Sequence, residues 1–294
     1  FTLLRDEDIP ELHSRAHIWK HDRTGAQIIS LINDDENKVF GITFKTPPTD
    51  STGVAHILEH SVLCGSQRYP VKEPFVELLK GSLQTFLNAF TYPDKTCYPV
   101  ASVNLNDFHN LVEVYLDAVL RPRITQDIFC QEGWHVVPPQ GENGEPSFKG
   151  VVFNEMKGAY SSPDSLLNEY TQHSLFPDTL YSLDSGGHPL SIPDLTYEAF
   201  KQFHTDYYHP SNSRVWFWGD DPESERLDLL DSHFREFEAH PVQAEVPLQA
   251  MFSEPRQDTK RYPAGESDTD RAMAVVSWVL GDNVDDSGAT DAQH

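Results

Sequence analysis

An α+β domain, with helices packed on a mainly antiparallel sheet, is what this sequence predicts, and two observations predict it. Short strands and helices alternate along the chain, and strand-like segments follow in succession near the N-terminus with turn residues between them, accompanied by several helical stretches. Ala16 to Trp19, Gln27 to Ile32 and Val39 to Thr46 alternate or cluster apolar residues, with turns at Thr24-Gly25 and Asn33-Asp34. A helix follows around His56 to His60, with Thr52 and Gly53 as its start residues. Pro74 to Gly81 reads as a short helix with proline in its first turn. Leu87 to Ala101 contains an edge strand and a turn at Tyr92-Pro93-Asp94, and Asn106 to Leu120 is an amphipathic helix ending before Pro122. Gly150 to Ala159 has a helical apolar pattern, and Leu195 to Tyr208 forms another helix. An aromatic strand at Arg214 to Trp218 places Trp216 and Trp218 on one face, read as core. Pro222 to Glu238 is a last helix with Leu227, Leu229, Leu230 and Phe234 inward.

Composition narrows the function classes. The 294 residues carry 22 basic and 46 acidic side chains, a formal charge of -24, which disfavours nucleic acid because phosphate contacts need basic patches. A mean hydropathy of -0.50 predicts a water-soluble chain, and no apolar run approaches the roughly 18 residues of a membrane span. Cys64, Cys97 and Cys130 are odd in number and lack CxxC spacing, so no disulfide framework is expected. Cys64 reads as a small buried residue rather than a fourth ligand.

The chemistry lies in His56-Ile57-Leu58-Glu59-His60, an HxxEH run that reads as the HExxH zinc-peptidase signature reversed. On a helix, residues four apart share a face, so His56 and His60 can direct imidazole nitrogens at one ion. Glu59 beside them can hydrogen-bond a water at that ion and take its proton, the work of a general base. A catalytic zinc usually takes three protein ligands, and Glu155 is the chosen third, with Glu132 as its competitor. Gly158 and Ala159 after it give a small helix face that another helix could approach closely.

These blocks resemble the presequence protease family of pitrilysin-like peptidases, whose zinc motifs are inverted. The resemblance rests on Asp50 to Gly53 leading into HILEHSVLCGS, on Leu78 to Ser102, on Lys149 to Tyr160, on SGGHP from Ser185 and on YYHPSN from Tyr207. The plant and algal branch is the nearest in pattern, through Asn33 to Ile42 and Tyr262 to Gly265. The resemblance implies a pitrilysin/LuxS-like metallopeptidase domain that binds one Zn2+ per chain through His56, His60 and Glu155, with Glu59 as base. It implies that Asn88 and Ala89 lie on an edge strand that pairs with extended substrate, and that Leu63, Phe75 and Leu79 line an apolar pocket beside the scissile bond. The implied substrates are short unstructured peptides, notably basic targeting peptides, and the implied compartments are the chloroplast stroma and mitochondrial matrix.

Family members are longer, and a distal half is expected to complete the site. The domain organisation read here is a peptidase domain at 1–240, a Pro- and acid-rich linker at 241–270, and the truncated start of a second domain at 271–294. Its first strand is expected over Arg271 to Leu280. The polar tail after Leu280 leads us to expect a fragment or a product with an altered end. The opening residues lack a secretory or transit pattern, so any targeting segment is expected to have been removed or never included.

Overall fold

Apolar residues at every second position build the sheet. In the computed structural model, which describes residues 1–71, 74–139, 144–263 and 272–280, the chain begins with strands β1 (Thr2–Ile9), β2 (Ser14–Lys20), β3 (Gln27–Ile32) and β4 (Lys38–Lys45). Helices α1 (Val54–Val62) and α2 (Pro74–Gly81) follow, then strands β5 (Gln84–Leu87), β6 (Phe90–Thr91) and β7 (Lys95–Ser102). Helices α3 (Leu105–Leu120) and α4 (Gln126–Glu132) lead to a small hairpin of β8 (His135–Val137) and β9 (Ser147–Lys149). Helices α5 (Val151–Ala159), α6 (Pro163–Leu175) and α7 (Tyr197–Tyr207), strand β10 (Ser213–Gly219) and helix α8 (Glu223–Phe234) complete the fold.

The main sheet runs β1-β2-β3-β10-β4-β7-β5, with β6 also on β7. Every pairing in it is antiparallel except that of β10 with β3. Consecutive strands β3 and β4 are thus not neighbours, because β10 lies between them. One face is covered by helices and holds Ile28, Phe40, Ile42, Phe44, Tyr98, Val100, Val215 and Phe217, all buried. Helix α3 lays Phe108, Leu111, Val112, Tyr115, Leu116 and Val119 against it at helical spacing, and Asn104 caps its start by accepting from the Asp107 amide at 3.0 Å.

The opposite face corrects the reading of Trp216 and Trp218. A strand alternates its side chains, so Val215 and Phe217 take the core and the two tryptophans take the uncovered face. Trp216 is half exposed, and the Trp218 indole donates to Asp35 Oδ2 at 2.9 Å.

Beyond α8 the described residues form no helix or strand. Those at 272–280, expected as a strand, have no pairing partner among the described residues, and Val276, Trp278 and Leu280 are exposed. The tail from Gly281 and residues 140–143, between β8 and β9, lie outside the described residues. The expected linker lies along α6 and the turn after it: Gln249 and Asp178 exchange two hydrogen bonds at 3.0 and 2.7 Å, and Arg256 Nη1 donates to Ser174 O at 3.3 Å.

On α7, His204 lies 2.9 Å from the Val119 carbonyl through Nε2 and stacks on Tyr208. Burial lowers its pKa from 6.5 to about 4, against the opposing pull of the Val119 carbonyl. The unfolded chain therefore binds a proton that the folded chain refuses between those values. The neutral imidazole's contribution is complete above pH 6.5 and is lost as pH falls toward 4. We expect about 2 kcal/mol less stability from this group at pH 5 than at pH 7, read by urea unfolding. The loss should be absent in His204→Gln.

Candidate metal centre

Helix α1 starts at a glycine because nothing else fits. Gly53 has φ +72°, and a Cβ there would lie 2.7 Å from both Gly186 O and Gly187 Cα. Thr52, expected to share in starting the helix, does not cap it. Its amide and hydroxyl turn to Asp50 Oδ1 at 2.9 and 2.6 Å. The close approach of Gly186 has a direct result, since its carbonyl lies 2.9 Å from His56 Nδ1. A carbonyl only accepts, so Nδ1 carries the proton and Nε2 presents a lone pair.

His60, one turn on, is held likewise. Its Nδ1 lies 3.4 Å from Glu132 Oε2, and its ring centre is 4.9 Å from that of His56. The Nε2 atoms of His56 and His60 each lie 3.7 Å from Glu155 Oε2. Ligand atoms of His56, His60 and Glu155 all fall within 4.8 Å of one another, and among the described residues no other group of three or more does so. Two imidazole nitrogens and a carboxylate oxygen aimed into one space are a donor set that a divalent ion takes, so the residues fit one.

Glu132, the competitor for third ligand, is buried behind His60 instead. Burial pushes its carboxyl up, but the His60 hydrogen bond and the Gln131 amide outweigh that and hold it below the usual carboxylate range. Burial likewise pulls the His60 imidazolium down, while Glu132, Glu59 and Glu155 together hold it above its ordinary value. Cys64 stands beside Glu132 and lines the neighbouring cleft, outside the group of converging ligand atoms.

The close packing predicted at Gly158 occurs elsewhere. A Cβ on Gly158 would meet nothing within 4 Å among the described residues, so no described helix uses the small face there. The tight contact is at Gly150, where a Cβ would fall 2.0 Å from Gly133 O. Gly150 precedes α5, which carries Glu155, and Gly133 follows α4, which carries Glu132. Gly150→Ala must therefore separate the two helices that frame the site. The expected cost is about 1–3 kcal/mol of stability, with metal affinity about 10–100-fold lower. Thermal unfolding with and without metal would check both.

Glu59 is buried beside the ligands, and its Oε2 accepts a 2.7 Å hydrogen bond from Thr91 Oγ1 on β6. Glu59 and His60 open onto a cleft of about 280 Å³ lined by Leu63, Cys64, Phe75, Val76, Asn88, Ala89 and Glu132. Leu63 and Phe75 both line this cleft. Leu79 does not: it is 46% exposed on α2 and outside the lining. An edge strand through Asn88 and Ala89 is also corrected, because these two residues form the break between β5 and β6. The break is fixed by Asn88 N donating to Pro99 O at 3.3 Å and by Tyr115 Oη donating to Asn88 O at 3.2 Å. Sequence reasoning missed Thr91, Tyr115 and Gly186. Both Thr91 and Gly186 lie inside the blocks that carry the resemblance, which was the signal to be followed.

Residues 46–133 match the family profile described as Insulinase (Peptidase family M16), and residues 194–291 match the one described as Peptidase M16 inactive domain. The chain belongs to peptidase family M16. Within the family it is similar to "Presequence protease 1, chloroplastic/mitochondrial" of Arabidopsis thaliana, at 55% identity over 95% of this chain and 26% of that protein. Protein HypA of Clostridium perfringens is 48% identical over 97% of this chain and 30% of that protein. "Presequence protease, mitochondrial" of Mus musculus is 43% identical over 87% and 25%. This M16 chain therefore spans between a quarter and three-tenths of these relatives. The crystal structure of pitrilysin has the same fold, with a TM-score of 0.63 and 17% identity over 86% of this chain and 25% of that one. So has a protease from Helicobacter pylori, at TM-score 0.63 and 19% identity over 81% and 54%.

Proposed function

We propose that this chain is the metal-binding domain of a zinc endopeptidase that degrades short unstructured peptides, notably cleaved organellar targeting sequences. The observation that carries the reading is the convergence of His56 Nε2, His60 Nε2 and Glu155 Oε2 beside the buried Glu59. His56, His60 and Glu155 would hold one zinc. When bound, zinc supplies Lewis-acid polarisation of a peptide carbonyl and makes water more acidic. Glu59 removes the proton from the attacking water and can return it to the leaving amine. Gly186 and Glu132 fix the two imidazoles so that their Nε2 atoms stay aimed at the ion. The outer edge of β6, Phe90–Thr91, offers main-chain groups to an extended peptide, and the cleft with Leu63 and Phe75 takes an apolar side chain.

Net charge of -24 favours basic peptides and draws them in over a distance set by ionic strength. The printed names of the Arabidopsis and mouse relatives support the chloroplast stroma or mitochondrial matrix as the compartment. The division read here is a peptidase domain at 1–240, a linker at 241–270 and the start of a further domain from 271, and the short span relative to those proteins supports a distal half as partner. Among the described residues no helix is long and apolar enough to cross a membrane.

The test is mass-spectrometric cleavage of an unstructured Arg-rich peptide by the zinc-loaded chain and by the chelated chain. Cleavage that disappears with the metal is expected. Cleavage that survives chelation would sink the zinc reading, and zinc binding without cleavage would make this chain a half-site that needs its distal partner.

A further inference from the structure

We infer that Thr91 is a positioning residue that holds the Glu59 carboxylate out of the ligand set of His56, His60 and Glu155. The inference rests on the metal-site reading above and asks what that reading leaves open. Glu59 stands three residues after His56 and directly before His60, on a helix whose face already carries two ligands. A carboxylate with that reach is itself a competent zinc ligand, and attraction to a cation strengthens where water is excluded. Yet Glu59 lies outside the group whose ligand atoms converge. A general base that became a ligand would lose the lone pair its task requires.

The restraint is visible. Thr91 Oγ1 donates to Glu59 Oε2 at 2.7 Å, in the range of a hydrogen bond to a charged acceptor, and among the described residues it is the only hydrogen-bond donor to that carboxylate. Thr91 is itself fixed by its backbone. It lies on the short strand β6 opposite Thr96 of β7, and the turn between them is closed by Tyr92 N donating to Lys95 O at 2.8 Å. Thr96 is wholly buried, with its hydroxyl 2.8 Å from that of Thr46, so the hairpin is anchored from beneath. A β-branched side chain has few rotamers, and the hydroxyl therefore comes from a set direction. With Oε2 occupied, Oε1 is left to receive a proton. The same hairpin that offers an edge to a peptide thus also sets the base.

The experiment uses Co2+ as the probe and visible absorption as the readout, on the whole chain and three variants. Thr91→Val removes the hydroxyl and keeps the shape. It is expected to lose absorption intensity, because an added Glu59 ligand raises the coordination number. Thr91→Ser should restore the parent spectrum, and Thr91→Val combined with Glu59→Gln should return most of the lost intensity. An unchanged spectrum in a folded Thr91→Val chain would overturn the inference, as would a changed spectrum that persists when Glu59 is also replaced. If Thr91→Val does not fold, Thr91→Ala takes its place in the same comparison. A parent chain that takes up no Co2+ would overturn the metal-site reading and this inference with it, an outcome distinct from the other two.

Discussion

Glu59→Gln is expected to leave metal affinity unchanged and to lower peptide turnover by about 10²–10⁴-fold, the range for loss of a positioned general base. Glutamine keeps the shape of the side chain, and its carbonyl oxygen can still accept from Thr91 Oγ1. What it lacks is a basic carboxylate oxygen. The ligand atoms of His56, His60 and Glu155 do not include Glu59, so the ion has no reason to leave. Glu155→Gln should do the reverse, weakening metal binding because the neutral amide is a poorer ligand for a divalent cation. Chelator competition separates the two variants without any need for turnover. Loss of metal from Glu59→Gln, or full turnover by it, would contradict the division of roles.

Arg226→Met is expected to destabilise the fold by about 3–5 kcal/mol, the cost of leaving a buried charge without its partner. Arg226 and Asp221 are wholly buried and form a two-point ion pair, Nε to Oδ2 at 2.9 Å and Nη2 to Oδ1 at 2.6 Å. The remaining donors reach Ser30 Oγ and Leu31 O, both at 3.0 Å, and Gly219 O at 2.8 Å. One guanidinium thus ties α8 to the ends of β3 and β10. Methionine matches its length but leaves the buried Asp221 carboxylate without its ion-pair partner. Urea denaturation should show a lower midpoint with an unchanged slope. Replacing Asp221 by Leu in the same chain should recover a large part of the loss, since a well-packed apolar pair often equals a buried ion pair.

Local pattern made much of this molecule legible. Period-two runs located β2, β3, β4 and β10, helical spacing located α1, α2, α3, α5 and α7, and the HxxEH run put two imidazoles and a carboxylate on one turn. Glu155 was readable as the lone acid in an apolar helix, and the structure brings it to the two histidines. What stayed hidden depends on distant neighbours. Nothing in the spacing of Glu132 distinguishes a ligand from a group that orients His60. Helix α6 buries only Leu166 and so has little apolar rhythm to detect, and β1 is an exposed, charged edge. The burial of Arg226 was not legible, because ESERLDLLDSHF offers leucines for the inward face. Trp216 and Trp218 were misread because an aromatic strand does not say which of its faces the helices cover.

The place of β10 between β3 and β4 has a consequence in time. A ribosome delivers the two flanking strands early and the strand that joins them close to the end of the described fold. Until Gly219 has emerged, β3 and β4 each keep a row of unmet backbone groups on the side that β10 will fill, and such rows are adhesive. The pairing that closes the gap spans most of the chain, so it is bought with loop entropy and forms slowly. The nascent protein therefore holds β3 and β4 before it holds the strand that joins them, and that interval is when a chaperone would have most to do.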